Sequence, residues 1–181
     1  MKRSIPTPYL VFGFLALLWG MTFLFNKIAG GVVSPMQIVM VRVVIGFLPV
    51  LAFALSRKVL RWEHVRYIHH FVVMSLMAAT VYYFAFAKGI SLLPTSTAGM
   101  LSGAIPLFSF VGAAIFLRSE PVNFRSITGL LIGFGGVIVI ARPWDANIAS
   151  SDLTGVLYIA FGSACVGLSF VYARKFLSPL G

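Results

Sequence analysis

Arg42 stands alone in an apolar run, between PMQIVMV and VVIGFLPVLAF, and the nearest acidic residue in the sequence is Glu63. A cation in a membrane-spanning segment costs about 2.5–3.5 kcal/mol on insertion scales, so it faces a cavity, a partner or the interface. Gly46 and Pro49 follow Arg42 at helical spacing, which sets it on a small-residue face and favours the interior. There it would attract an anionic group such as a substrate carboxylate. Snorkelling to the outer interface is the competing reading, because two helical turns cover only about 10 Å. A second group is Tyr82, Tyr83, Phe84 and Phe86. Nearly consecutive residues cannot all face one way, so one or two would line a site and the rest would meet lipid. A third is Thr95, Gly99, Ser102, Pro106, Ser109 and Ala113, spaced 4, 3, 4, 3 and 4 apart. That spacing draws one small, hydroxyl-rich stripe along a helix, either a tight helix seam or the polar wall of a cavity. Pro106, mid-run, should kink that helix by removing a backbone hydrogen bond.

Other chemistries lack their residues. No Asp or Glu falls inside an apolar run, so no proton-relay carboxylate is visible. There is no HExxH, no Walker A sequence and no Ser/His/Asp set at membrane depth, which argues against an intramembrane enzyme and an ATP-driven pump. His64, His69 and His70 do not have a trusted metal-ligand spacing and read as interfacial. Cys165 is the single cysteine, so an internal disulfide is excluded. No metal or cofactor is expected. Lys27 and Lys88, each at the outer end of an apolar run, read as interfacial anchors.

These residues must be carried by membrane helices. Of 181 residues, 60% are hydrophobic and 10% charged, the composition of an all-α, polytopic transmembrane bundle. Six segments reach spanning length: Pro8 to Asn26, Pro35 to Leu55, Ile68 to Ala87, Thr95 to Leu117, Ser126 to Ala141 and Leu153 to Ala173. The fifth carries Gly129, Gly133 and Gly136 on one face, a pattern for packing and dimerisation. The net charge of +10 resides in the connections, so it sets topology and does not mark a nucleic-acid binder. Ten basic residues (Lys2, Arg3, Arg57, Lys58, Arg61, Arg66, Arg118, Arg125, Arg174 and Lys175) fall on one side; Lys27, Lys88 and Arg142 fall on the other with Asp145 and Asp152. The asymmetry puts both termini in the cytoplasm of a multi-pass protein of the inner or plasma membrane.

The sequence also repeats. At an offset of 147 residues WGMTFLFNK meets VGLSFVYAR, pairing Gly20 with Gly167, Thr22 with Ser169, Phe23 with Phe170 and Lys27 with Arg174. Five spans separate the copies, so they run in opposite directions, as in the inverted repeats of secondary transporters. LLWGMTFLFNKIAG resembles the first-helix motif of the EamA family of the drug/metabolite transporter superfamily. VRVVIGF is similar to the start of that family's second helix. The run from Lys88 to Ile140 resembles its fourth and fifth helices, with Pro106 to Phe108 at the centre and Glu120 in the loop between them. The resemblance implies ten helices in two inverted five-helix repeats. Here residues 1–142 would form the first repeat and 153–175 the first helix of the second, so a truncated chain is expected, completed by a C-terminal half or by a second copy as a homodimer. It also implies a secondary transporter, an efflux permease for small metabolites, amino acids or drug-like solutes, working by alternating access within the lipid bilayer. The expected substrate site comprises Trp19, Thr22, Arg42, Tyr83, Ser102 and Pro106. Arg42 would hold an anionic group, Trp19 and Tyr83 would shape the cavity, Ser102 would offer a hydroxyl, and Pro106 a kink with a free carbonyl. The alternative is a non-transporting membrane scaffold or assembly subunit.

Overall fold

The computed structural model describes residues 7–58, 62–117, 123–141 and 150–178. Lys2, Arg3, Arg61, Arg118, Glu120, Arg142 and Asp145 lie outside the described residues, as do the side chains of Glu63 and His64. The described residues form six helices long and apolar enough to cross a membrane. We number them α1 (Thr7–Gly30), α2 (Pro35–Ser56), α3 (Val65–Leu92), α4 (Thr95–Phe116), α5 (Phe124–Ala141) and α6 (Ser150–Tyr172, continued by the π-helical turn Ala173–Leu177). The all-helical, multi-pass architecture read from the sequence is the one observed.

Local signals set the boundaries. Ser34 caps α2: its hydroxyl accepts from the Gln37 N–H, and the Gln37 side chain accepts from the Ser34 N–H in return. Pro35, next in line, has no N–H to leave unpaired. Pro94 ends α3 and starts α4. Three helices run past their expected ends, α6 by its π-helical turn to Leu177. α1 continues to Gly30, which puts Lys27 in its last turn, and α3 runs to Leu92, with a π-helical stretch over Leu76–Val81. α4 is broken by a 3₁₀ turn at Ser102–Ala104 just before Pro106. The proline kink is therefore present, but its expected free carbonyl is not. Pro106 cannot donate to the Ser102 carbonyl, and the Ile105 N–H takes that carbonyl instead.

The centre of the bundle is α6. It packs along the Tyr82–Leu92 part of α3 and along α4 on both sides of the break, while α1 and α2 lean on α3, and α5 leans on α4. Lipid is as apolar as leucine, so helices meet in a membrane where small residues let them come close. Gly155, Gly162 and Gly167 do this on α6. A Cβ on Gly167 would stand 2.8 Å from the Ser109 nitrogen and 2.9 Å from the Ile105 oxygen, so the α4 and α6 backbones are in contact there. On Gly162 it would meet the Phe86 ring at 2.7 Å. The core is built from Phe86, Ile90, Leu93, Ala98, Leu101 and Ile159.

The α4 stripe divides. Ser109 reaches the α6 seam, whereas Gly99 has nothing within 4 Å and Pro106 is exposed. The face buried instead carries Ala98, Leu101 and Ala104, three residues apart. Ala98 and Leu101 are already buried in the α-helical part before the 3₁₀ turn, and the turn keeps Ala104 in line with Leu101, since at three residues per turn positions i and i+3 eclipse. On α5, Gly133 receives the Leu107 side chain, while Gly129 and Gly136 have nothing within 4 Å.

Candidate functional site

Arg42 lies two turns into α2 and Tyr83 sits on the facing length of α3, so the two meet at similar depth. The guanidinium carbon of Arg42 stands 4.3 Å from the centre of the Tyr83 ring, a cation–π contact. Arg42 makes no ion pair among the described residues, and its side chain is exposed. The contact spends one face of the planar cation and leaves its N–H fork for a carboxylate or phosphate. Behind Tyr83 the rings continue inward. Tyr82 lies 5.1 Å from Tyr83 and 4.5 Å from Phe86, and Phe86 lies 6.2 Å from Phe23 of α1. An aromatic ladder thus joins α2, α3 and α1, with the cation at its open end.

The other expected site residues are placed differently. Trp19 shares the Phe23 face of α1 by its four-residue spacing, yet it is 68% exposed and touches no rung of the ladder. The Thr22 hydroxyl donates to the Leu18 carbonyl at 3.1 Å and the Ser102 hydroxyl to the Gly99 carbonyl at 2.6 Å. Each donor is spent within its own helix, so only the oxygen's acceptor capacity is left for a ligand. Among the described residues no hydrogen bond or ring contact links Ser102 or Pro106 to the Arg42–Tyr83 pair. The structure brings together two of the six residues, Arg42 and Tyr83.

Three features lay beyond the sequence reading. First, Lys27 caps the end of a neighbouring helix. Its ammonium donates to the carbonyls of Ile90 (3.0 Å), Ser91 (3.0 Å) and Leu93 (2.8 Å), so all three protons are used. Pro94 prevents α3 from continuing, which strands its last carbonyls, and a lysine in the last turn of α1 is the donor that meets them. The signal was present in the sequence as a lysine and a helix-stopping proline at the ends of two apolar runs that finish on the same side. Second, His70 Nδ1 and the Tyr172 hydroxyl share a 2.7 Å hydrogen bond, and the Phe176 ring stacks 5.3 Å from His70. This joins the start of α3 to the end of α6. The His69 and His70 rings are 4.0 Å apart, and no group of three metal-binding side chains exists among the described residues. Third, the hydroxyl of Ser163, fully buried on α6, has no hydrogen-bond partner among the described residues.

Residues 7–142 match the EamA-like transporter family. The chain is 24% identical over 162 residues to an uncharacterized transporter of Archaeoglobus fulgidus, covering 86% of this chain and 57% of that protein. It is 25% identical over 163 residues to the uncharacterized transporter YoaV of Bacillus subtilis, covering 88% and 54%. Over 89 residues it is 25% identical to an S-adenosylmethionine uptake transporter of Rickettsia prowazekii, covering 49% and 29%. The chain thus spans about half the length of the first two relatives. No solved structure matches it.

Proposed function

The chain belongs to the EamA-like transporter family, and from that premise we propose that it is the substrate-binding part of a secondary transporter for small carboxylate-bearing metabolites, amino acids among them. The observation that carries this reading is Arg42 resting on Tyr83 with its N–H fork unspent. An anion entering there exchanges water for a charge-assisted, two-pronged hydrogen bond, and an apolar or ring-bearing remainder finds the aromatic ladder behind it. The S-adenosylmethionine named for the Rickettsia relative has this combination of carboxylate and flat ring. Larger drug-like solutes with both features fit the same description.

Alternating access between inverted repeats is the mechanism we propose. The inverted copies WGMTFLFNK and VGLSFVYAR support it. One face of the second copy is engaged: Val166 is 7% exposed, Ser169 is buried and Gly167 lies against α4. The first is not, with Gly20 open and Trp19 exposed. The Trp19 face of α1 is therefore available to inverted helices equivalent to α3 and α4 from a further half, since the charge asymmetry argues against a second copy inserted the other way up, and Trp19 and Thr22 would join the site when they dock. The charge asymmetry supports both termini in the cytoplasm of the inner or plasma membrane. The family resemblance supports export, whereas the Rickettsia relative is named for uptake, so flux is measured in both directions.

The test is flux of a radiolabelled amino-acid panel through vesicles carrying the full-length protein, against vesicles without it. At least one carboxylate-bearing solute should move faster, and neutral analogues lacking the carboxylate should not. If no solute moves in either direction while the protein co-purifies with another membrane complex, a non-transporting scaffold is the correct reading.

A further inference from the structure

At the end of the bundle where α4 and α6 stop and α3 begins, a cavity of about 330 Å³ opens between these three helices. Met77, Leu168 and Val171 form its interior, and Phe116, Phe176 and Lys175 stand at its edge. The lining is mostly apolar, and the Tyr172 side chain completes it. The ammonium of Lys175 lies 5.5 Å from the centre of the Phe176 ring and 5.9 Å from that of Phe116, which holds the charge over the opening instead of letting it swing away. The walls are irregular. Met77 belongs to the π-helical stretch of α3, and Lys175 and Phe176 belong to the π-helical turn that ends α6. Wide turns of this kind recur at functional sites. The His70–Tyr172 hydrogen bond closes one side.

We infer that this cavity seats an acyl chain of an anionic phospholipid from the cytoplasmic leaflet, with the lipid phosphate at Lys175. A recess lined mostly by Met77, Leu168, Val171 and aromatic rings suits a hydrocarbon tail, and the hydroxyl on its wall, that of Tyr172, is already bonded to His70. The cation stands at the level where the helices end, which is the level of lipid headgroups. The positive-inside asymmetry puts that end in the leaflet where anionic lipids attract lysine. A headgroup with no net charge fits the cavity equally well but leaves Lys175 without its counter-charge, so the site discriminates by headgroup and not by chain.

The experiment is native mass spectrometry of the full-length protein in detergent, titrated with phosphatidylglycerol or phosphatidylcholine of identical chains. One lysine near a membrane surface gives roughly a fivefold preference for the anionic lipid. Lys175→Gln should bring the ratio of the two lipids to about one without lowering phosphatidylcholine retention. Met77→Trp, which fills the recess, should lower retention of both. Arg57→Gln is the control, because Arg57 also lies over a ring, Phe53 at 5.4 Å, yet borders no part of this cavity; it should leave the ratio unchanged. Three results overturn the inference: an unchanged ratio in Lys175→Gln, full retention in Met77→Trp, or displacement of phosphatidylglycerol by inorganic phosphate alone. Lipid retention is read without any transport step, so its failure leaves the transport proposal standing, and the reverse.

Discussion

Replacing Lys27 with methionine should loosen the end of the bundle where α1 and α3 finish. The stem of the side chain is kept and only the ammonium is lost, and with it three donors to Ile90, Ser91 and Leu93. A hydrogen bond to a charged group is worth about 1.5–3 kcal/mol, and leaving a buried acceptor unpaired costs about 1–3 kcal/mol. The three bonds share one cation and the site is only partly buried, so they do not add. Water can also reach the end of α3 and re-pair some of its carbonyls. Loss of the cation at a helix C-terminus contributes about 0.3–1 kcal/mol of the total. A net destabilisation of about 2–3 kcal/mol is expected. For a chain of this size each kcal/mol moves the midpoint by about 2–4 °C, so the melting temperature in detergent should fall by about 4–12 °C. Lys27→Arg, which keeps the charge with a different fork, should recover part of the loss. If Lys27→Met melts within a degree of the parent protein, the ammonium does not hold α1 to α3 and the capping account is wrong.

The two glycine classes should separate in the same melting assay. Gly167→Ala drives a methyl into the α4 backbone at Ser109 and Ile105 and should cost about 1–3 kcal/mol as an overpacked seam, whereas Gly129→Ala enters open space and should be neutral or stabilise by up to about 1 kcal/mol. Tyr172→Phe keeps the ring against Phe176 but loses the hydrogen bond to His70; a loss of about 0.5–1.5 kcal/mol is expected, and a double-mutant cycle with His70→Phe should show coupling, while strict additivity would refute the pairing. Ser163→Ala should be neutral or stabilising because its buried hydroxyl has no partner, and a clear loss of stability would mean that the hydroxyl is bonded.

The helices were legible because a span of about 20 apolar residues has few alternatives in lipid, and four of the six expected starts fall within two residues of those observed. The C-terminal ends of α1 and α3 were less legible. Helix continuation past Asn26 and Ala87 depends on tertiary support, and in both cases Lys27 supplies it by joining the two ends. Arg42 and Tyr83 could be found because an isolated cation and an aromatic run are conspicuous against an apolar background. That they touch could not, since α2 and α3 can rotate about their axes without changing any sequence pattern. The α4 stripe was read from its small and hydroxyl-bearing residues, whereas the buried face carries Ala98 and Leu101 before the 3₁₀ turn and Ala104 within it. The central position of α6 was hidden for a different reason. Its seam is written in glycines, which are frequent in membrane helices generally, and only the contacts of Gly155, Gly162 and Gly167 distinguish them from open ones such as Gly20.

The most direct measurement compares flux of the same radiolabelled carboxylate-bearing solute through vesicles of the full-length protein and of its Arg42→Ala, Arg42→Lys and Tyr83→Ala variants. Surface expression and melting temperature are matched across the set. If Arg42 receives the carboxylate, Arg42→Ala should lower flux at limiting solute by roughly tenfold or more, as expected for a lost hydrogen-bonded charge partner of about 1.5–3 kcal/mol. Arg42→Lys should recover only part of it, having the charge but not the fork, and Tyr83→Ala should fall between. Equal flux in Arg42→Ala and the parent protein would contradict the account and place the substrate elsewhere.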